Sequence, residues 1–102
     1  MIYEWDEAKR EINLKKHRLD FLRAAMVLEN EYVMIVDSPR HSQARQQAFA
    51  YVFDVLTVLS VAFKRGATGG EERCRIISFR PAKHKERSAY YAWLENDFHD
   101  QR

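Results

Sequence analysis

Residues 72–91 read ERCRIISFRPAKHKERSAYY, and this stretch decides the fold because it predicts a short buried strand that leads directly into a helix. The run Arg75–Arg80 alternates and ends in a guanidinium, which is typical of a strand with one buried face. Pro81 stops that strand just outside the helix. On the helix, Glu86 and Tyr90 lie four residues apart and share one stripe. Arginines and a carboxylate delivered to the start of a helix suit a phosphate that must be bound and then attacked.

The rest of the sequence predicts further strands and helices in a simple order. Asp6 and Asp20 are candidate N-caps for two helices, and Asp54 marks a hairpin between two long β-rich runs. The order β-α-α-β-β-β-β-α predicts a mainly antiparallel sheet with helices covering one face, a single α+β domain. The predicted elements are a strand at Ile2–Trp5, a helix to about His17, a second helix after Asp20, strands at Tyr32–Val36, Arg45–Phe53, Val55–Lys64 and Arg73–Phe79, and a last helix from Ala82 to about Asn96.

The spacing of apolar residues predicts which side of each helix faces the core. The expected packing residues are Trp5, Ala8 and Ile12 on the first helix, Phe21, Ala24, Ala25 and Leu28 on the second, and Ala89, Tyr90, Trp93 and Leu94 on the last. Turn-forming residues predict two loops, one at Asp37–Ser42 and one at Arg65–Gly70.

The composition is that of one packed globular domain. The chain has 102 residues, of which 46% are hydrophobic, and this is enough for one core and too little for two. Cys74 is the only cysteine, so no internal disulfide is possible and a reducing compartment, the cytoplasm, is expected. The opening Met1–Asp6 has acids where a secretory signal has basic and apolar residues. The apolar run Ala48–Phe63 is interrupted by Asp54 and is too short for a membrane span.

Positive charge is concentrated in two blocks, although the net charge is only +2. Residues 9–18 hold five basic side chains against one acidic, and residues 64–87 hold eight against three. If the two blocks share a face, that face attracts a polyanion. The alternative is that they are two solvated helix surfaces.

Two groups of residues, one toward each end of the chain, carry a family resemblance. The first group is Tyr3–Lys9 (YEWDEAK) with Asn13, Lys16, His17, Phe21, Ala24 and Ala25, and the second is Arg75–Ala82 (RIISFRPA) with Glu86, Arg87 and Tyr90. In these positions the chain resembles the BrnT family, ribonuclease toxins of type II toxin–antitoxin modules with a RelE-like fold. The resemblance implies an RNA substrate and a BrnA-like antitoxin, a ribbon-helix-helix DNA-binding protein whose complex with the toxin represses its own operon.

The chain departs from the family pattern at four places. Arg18 stands where a glycine usually follows the Lys-His pair, beside a candidate catalytic histidine. Gln43 stands where an acid is expected two residues before the mid-chain arginine. Phe53–Val55 replaces a Gly-rich turn, and the loop that contains residues 69–70 is lengthened.

The chemistry that the resemblance implies, RNA cleavage through the substrate 2′-hydroxyl, needs a base for that proton, an acid for the leaving 5′-oxygen and cations on the phosphorane oxygens. The candidate catalytic residues are His17, Arg80 and Glu86, and the candidate RNA-binding residues are Lys16, Arg45, Arg75, Lys83 and Tyr90. Three of these have structural alternatives. A histidine at a helix C-terminus is favoured by the macrodipole, Glu86 can pair with a neighbour on the helix surface, and Tyr90 can pack on the sheet instead of stacking on a base.

Other classes of site fit less well. No Gly-rich loop leads from a strand into a helix, and no Cys/His spacing suits a metal, so neither a metal nor a cofactor is expected. The sequence therefore predicts a metal-independent endoribonuclease toxin. The alternative is a non-catalytic basic binding module, or a degenerate toxin that only binds its antitoxin or nucleic acid.

Overall fold

One mixed sheet of five strands organises the computed structural model, which describes residues 1–38, 45–64 and 72–98. The elements are β1 (Ile2–Glu4), α1 (Glu7–His17), α2 (Ala24–Leu28), β2 (Met34–Asp37), β3 (Arg45–Val52), β4 (Val55–Lys64), β5 (Arg73–Pro81) and α3 (His84–Trp93). The strands lie in the order β1-β5-β4-β3-β2. β1 is parallel to β5, and the other neighbours are antiparallel. The predicted α+β class is confirmed.

Several sequence predictions fall on other parts of the chain. The predicted loop Arg65–Gly70, most of the turn Asp37–Ser42 and the departure at Gln43 lie outside the described residues. Within the described ranges, no helix combines the length and the apolar character that crossing a bilayer requires.

Aspartates begin the first two helical segments, as predicted. The carboxylate of Asp6 accepts hydrogen bonds from two main-chain N–H groups of the first turn of α1, at 2.9 and 3.2 Å. Asp20 caps a single 3₁₀ turn, Phe21–Arg23, that leads into α2. Both oxygens of Asp20 also bind the guanidinium of Arg10, at 2.7 and 3.0 Å, and this pair ties α1 to the segment that follows it.

Helices cover both faces of the sheet, which corrects the prediction that they cover one. The segment that contains α2 packs on a core cluster that includes Val27, Leu59 and Phe79. α3 packs on the other face, where Tyr90 joins a second cluster with Phe49. β3 and β4 are apolar on both faces, and an apolar run in the sequence does not reveal which helix covers which face.

The packing sides of the helices were predicted only in part. Ala8 and Ile12 were expected to face the core but are exposed, Ile12 at 65%, and the buried residue of α1 is the polar Asn13. On α2, Val27 is fully buried and was not predicted, and on α3 Ala89 is exposed. The cause on α1 is that this helix docks along the edge of β5 through a side-chain amide instead of an apolar stripe.

The amide of Asn13 joins α1 to β5. Its Oδ1 accepts from the main-chain N–H of Phe79 at 3.1 Å, and its Nδ2 donates to the carbonyls of Phe79 at 2.8 Å and Leu19 at 2.9 Å. β1 pairs with β5 only at residues 73–75. At Phe79, beyond this pairing, the Asn13 amide makes the hydrogen bonds that a neighbouring strand would make. Without it, three main-chain groups would lose their partner at a buried position.

A bulge decides which side chains of β5 share a face. The pairing between β5 and β4 shifts by one residue at Ile77. The predicted regular alternation would place Arg75 and Arg80, five residues apart, on opposite faces. The extra residue shifts the alternation of side chains by one position. Arg75 and Arg80 therefore lie on the same face, opposite the buried Ile76 and Phe79.

A two-residue hairpin joins β3 to β4, as predicted near Asp54. Val52 pairs with Val55, and Phe53 takes the first loop position with a φ of 56°. Glycine is the residue usually preferred for such a conformation. The guanidinium of Arg23 lies 5.2 Å from the centre of the Phe53 ring, a cation–π contact that covers this turn.

We expect Asn13→Ala to lower the free energy of unfolding by about 3 kcal/mol, because each buried main-chain group left without a partner costs about 1–3 kcal/mol. Urea unfolding measures the change. Lys15→Ala, at an exposed position of the same helix, is the control and should change stability by less than about 0.5 kcal/mol. A loss for Asn13→Ala as small as that of the control would show that the amide does not hold α1 to β5.

Arg18 ends α1 in the left-handed region, with φ 59° and ψ 27°, and its N–H donates to the carbonyl of Leu14. The family's glycine suits this position because a Cβ there costs about 1–2 kcal/mol. Arg18→Gly should therefore raise the free energy of unfolding by about 1 kcal/mol, measured by urea unfolding. Arg18→Ala keeps the Cβ and should be close to neutral. Equal stabilisation by both variants would assign the effect to the lost charge instead.

Candidate functional site

A bidentate ion pair joins the end of β5 to the first turn of α3. Arg80 donates from Nη1 to one oxygen of Glu86 at 2.7 Å and from Nη2 to the other at 2.8 Å. Glu86 also accepts from the main-chain N–H of Lys83 at 2.8 Å, and Arg80 Nη1 donates to the carbonyl of Pro81 at 3.2 Å. The two side chains are only 22% and 21% exposed. The guanidinium is therefore held in one orientation on the sheet.

The ion pair also decides the charge of Glu86. The hydrogen bond from Arg80 lowers the pKa of the Glu86 carboxyl, the Lys83 N–H acts in the same direction, and partial burial opposes both. The carboxylate stays ionised at neutral pH and carries no proton for a leaving group. In this geometry Glu86 orients Arg80, and the proton-transfer role expected from the sequence stays a prediction.

The docking of Asn13 on Phe79 brings His17 toward this pair, although His17 comes from the other end of the chain. It is the last residue of α1, one turn after the docked Asn13. Burial lowers the pKa of His17, and the positive charges of Lys16 and Arg80 lower it further. These effects oppose the macrodipole, which favours the charged form. The imidazole is therefore neutral at neutral pH and can accept a proton.

One stripe of α1 follows β5 along its length. Lys9, Asn13 and His17 are spaced by four residues and so project from one side of the helix. Lys9 lines a cavity with Arg75, and Asn13 binds the main chain of Phe79 further along the strand. The positive charge of Arg80 lowers the pKa of His17. Sequence reasoning missed Lys9 and the role of Asn13, although their regular spacing with His17 was visible.

The sheet face on the α3 side changes from apolar to polar away from that helix. Strand register places residues in rows across β3, β4 and β5, and in the polar part these rows are Arg45, Ala62 and Arg75, then Gln47, Ser60 and Ser78. A cavity of about 260 Å³ opens here, lined by Ser38, Arg45, Gln47, Ser60, Ser78 and Arg80 among others. The cleft is therefore polar, and Arg45 and Arg80 give it positive charge.

The other candidate residues take different positions. Lys16 and Lys83 are exposed; Lys16 precedes His17, and the main-chain N–H of Lys83 donates to Glu86. Tyr90 is 2% exposed, and its hydroxyl donates to the carbonyl of Tyr32 at 2.6 Å. Tyr90 therefore packs on the sheet and does not stack on a base, because a ring buried in the second core cluster offers no face for stacking.

The proximity of His17 and Arg80 predicts a titration result. Arg80→Ala should raise the pKa of His17, because it removes a positive charge that disfavours the imidazolium. Arg80→Lys keeps the charge and should leave the pKa of His17 close to that of the unmodified protein. NMR titration of the imidazole C–H resonances measures both. A pKa that is the same in all three proteins would show that the two residues are not neighbours.

A comparison with known families gives one match. The family model described as "Ribonuclease toxin, BrnT, of type II toxin-antitoxin system" matches residues 5–86. This range includes His17, Arg80 and Glu86. No curated protein matches the chain in a sequence search. Since the match covers most of the chain, the protein belongs to the BrnT family of ribonuclease toxins of type II toxin–antitoxin systems.

Proposed function

We propose that this toxin cleaves RNA without a metal ion, using the 2′-hydroxyl of the substrate as the nucleophile. The observation that carries the proposal is that Glu86 holds the guanidinium of Arg80 in one orientation, while Asn13 docks the helix that ends at His17 on the neighbouring residue, Phe79. Family membership supports the ribonuclease activity, and this pair of groups supports the particular chemistry.

In the proposed reaction His17 is the base. Its neutral imidazole takes the proton of the 2′-hydroxyl, and that oxygen bonds to the adjacent phosphorus as the bond between phosphorus and the 5′-oxygen breaks. The 5′-oxygen takes a proton from a solvent water, and the imidazolium returns its proton to the solvent. The products are a 2′,3′-cyclic phosphate and a 5′-hydroxyl end. Such a step gains from a base whose pKa lies near or below the working pH.

Arg80 binds the phosphate in this proposal. A guanidinium has five N–H donors, and Glu86 and Pro81 use the Nη1 hydrogens and one Nη2 hydrogen. Nε–H and the second Nη2 hydrogen have no partner within the described residues, and they form a parallel fork. Such a fork binds two phosphate oxygens and stabilises the charge of the phosphorane.

The remaining candidate residues act in binding and positioning. Glu86 holds the guanidinium of Arg80, and the exposed Lys16 and Lys83 bind the RNA backbone beside it. Arg45 and Arg75 bind RNA on the polar part of the sheet face. RNA that occupies this face runs across β3, β4 and β5.

We infer from the family that the neutralising partner is a BrnA-like ribbon-helix-helix antitoxin, and that the toxin reaches operator DNA only within that complex. Acidic segments of such a partner suit the basic sheet face. The order of the strands and helices supports a RelE-like fold for a single toxin domain over residues 1–102. A cytoplasmic location follows from the same inference, since the RNA and the operator are both there.

The purified protein should cleave a labelled RNA in EDTA and leave 2′,3′-cyclic or 3′-phosphate ends. His17→Ala should lower the rate about 10²–10⁴-fold through loss of the base. Arg80→Ala should lower it about 10²–10³-fold through loss of phosphorane stabilisation. Glu86→Gln keeps one of the two acceptors for Arg80 and leaves the guanidinium itself unchanged, so it should have a smaller effect.

Lys85→Ala is the matched control, because Lys85 is an exposed cation in the same turn of α3 as Glu86. It should cleave at the unmodified rate. Unchanged cleavage by a folded Arg80→Ala variant, or activity that requires added Mg²⁺, would contradict the mechanism. A non-catalytic binding module would instead bind RNA with a steep salt dependence and never cut it.

A further inference from the structure

We propose that Lys9, Arg45, Lys64 and Arg75 form a second phosphate site, which binds the RNA backbone several nucleotides away from the phosphate that is cleaved. We call this group the distal cluster. The inference rests on the proposed ribonuclease function, because it concerns how the same RNA is held. It adds Lys9 and Lys64 to the binding surface and separates Arg45 and Arg75 from the reacting phosphate.

The distal cluster surrounds a small cavity of about 150 Å³. Arg45 and Arg75 lie on either side of Ala62 in one row of the sheet, so their Cα atoms are about 10 Å apart with only a methyl group between them. Lys9 reaches the cavity from α1, and Lys64 reaches it from the end of β4. At about 30 Å³ per water the cavity has room for about five waters, a space that suits one phosphate group.

The charges of the distal cluster are not neutralised within the described residues. Among the described residues, no carboxylate lines this cavity. The ion pairs of the described ranges involve Arg10, Arg73 and Arg80 instead. The Nε of Arg45 is buried and has no hydrogen-bond partner there. A buried donor without a partner is uncommon in native structures and calls for a ligand. An anion with several oxygens would satisfy this donor and relieve the repulsion between the four cations.

Two independent spacings connect the distal cluster to the proposed cleavage site. From Lys9 to His17, α1 rises about 12 Å. Residues 58–62 of β4, which pair with Arg80 and Arg75 at their two ends, advance about 13 Å. A stacked strand advances about 3.4 Å per nucleotide, so phosphates about four nucleotides apart would reach both sites.

The surface between the two sites is polar and continuous. Gln47, Ser60 and Ser78 form the row between Arg75 and Arg80. Arg45 lines both the cavity that contains this row and the smaller cavity of the distal cluster. This continuity favours RNA over an acidic peptide as the occupant, because one strand of RNA can use both sites at once.

Binding of non-cleavable RNA tests the proposal. The probes are fluorescent 2′-O-methyl RNAs, one a dinucleotide and one of about twelve nucleotides, about three times the proposed separation. Fluorescence anisotropy at several salt concentrations gives the affinity and its salt dependence. Arg75→Ala, Lys64→Ala and Lys9→Ala should each weaken binding of the long RNA and reduce its log–log salt slope by about 0.7. The dinucleotide has a single phosphate and cannot use both sites at once, so these variants should weaken its binding less than they weaken binding of the long RNA.

Lys85→Ala is again the control and should leave both affinities unchanged. Thermal melting checks that each variant is folded, and Lys9 and Lys64 are exposed, so their variants carry the test if Arg75→Ala unfolds. Unchanged binding of the long RNA, or equal weakening for both RNAs, would overturn the proposal. A polyaspartate peptide of matched charge is a further probe. If the variants weaken binding of this peptide and leave RNA binding unchanged, the cluster binds a protein partner, and the proposal is overturned.

Cleavage of unmethylated RNA by the unmodified protein is a separate arm of the experiment. No cleavage there would remove the proposed function. The difference between long and short RNA in the binding arm would still decide whether the distal cluster binds a phosphate.

Discussion

The side-chain amide of Asn13 on the main chain of Phe79 is the contact on which the arrangement of the site depends. β1 covers the edge of β5 only as far as residue 75, and the amide takes over from that strand. Because residues four apart lie on one side of a helix, docking Asn13 also places Lys9 and His17 against β5. One polar contact, buried at the edge of the sheet, thereby brings the first helix of the chain to the last strand.

The bulge at Ile77 is the second condition for the site. Without it, Arg75 and Arg80 would face opposite sides of the sheet, and the basic face would lose one of them. With it, the apolar residues of β5 stay in one core while both arginines face the other side. The stripe of Lys9, Asn13 and His17 on α1 then runs alongside β5. Lys9 lies near Arg75 at one end, and His17 lies toward Arg80 at the other.

Pairing distinguishes the two groups of cations on this face. Arg80 is fixed by Glu86, and a fixed guanidinium suits charge that develops at one position in a reaction. The distal cluster has no carboxylate partner within the described residues, and such unpaired cations suit a backbone that must be bound and released. The proposals for the two groups therefore differ according to the hydrogen-bond partners of the cations.

Local signals in the sequence were enough for most of the secondary structure. The caps at Asp6 and Asp20 and the hairpin near Asp54 depend on neighbours in the chain and were predicted correctly. The faces covered by the helices and the bulge at Ile77 were not, because they depend on which strand or helix packs against a residue far away in sequence. The role of Asn13 belongs to the same class, since its partner Phe79 is 66 residues away.

The sequence named the candidate residues, and their roles in RNA cleavage stay proposals. His17, Arg80 and Glu86 came from a family resemblance, and only the fold brings the first beside the other two. The lowered pKa of Glu86, which removes it as a proton donor, follows from a pairing with Arg80 that sequence spacing did not suggest. Tyr90 shares the stripe of Glu86, yet packing on the sheet decides its position.

The pH dependence of single-turnover RNA cleavage tests most directly whether docking α1 on β5 makes His17 the base. With His17 as the base, the rate should rise with pH and level off, with an apparent pKa below the ordinary histidine value of 6.5. That apparent pKa should match the one measured for His17 by NMR. A rate that is independent of pH, or one that keeps rising into the alkaline range, would show that another group takes the proton.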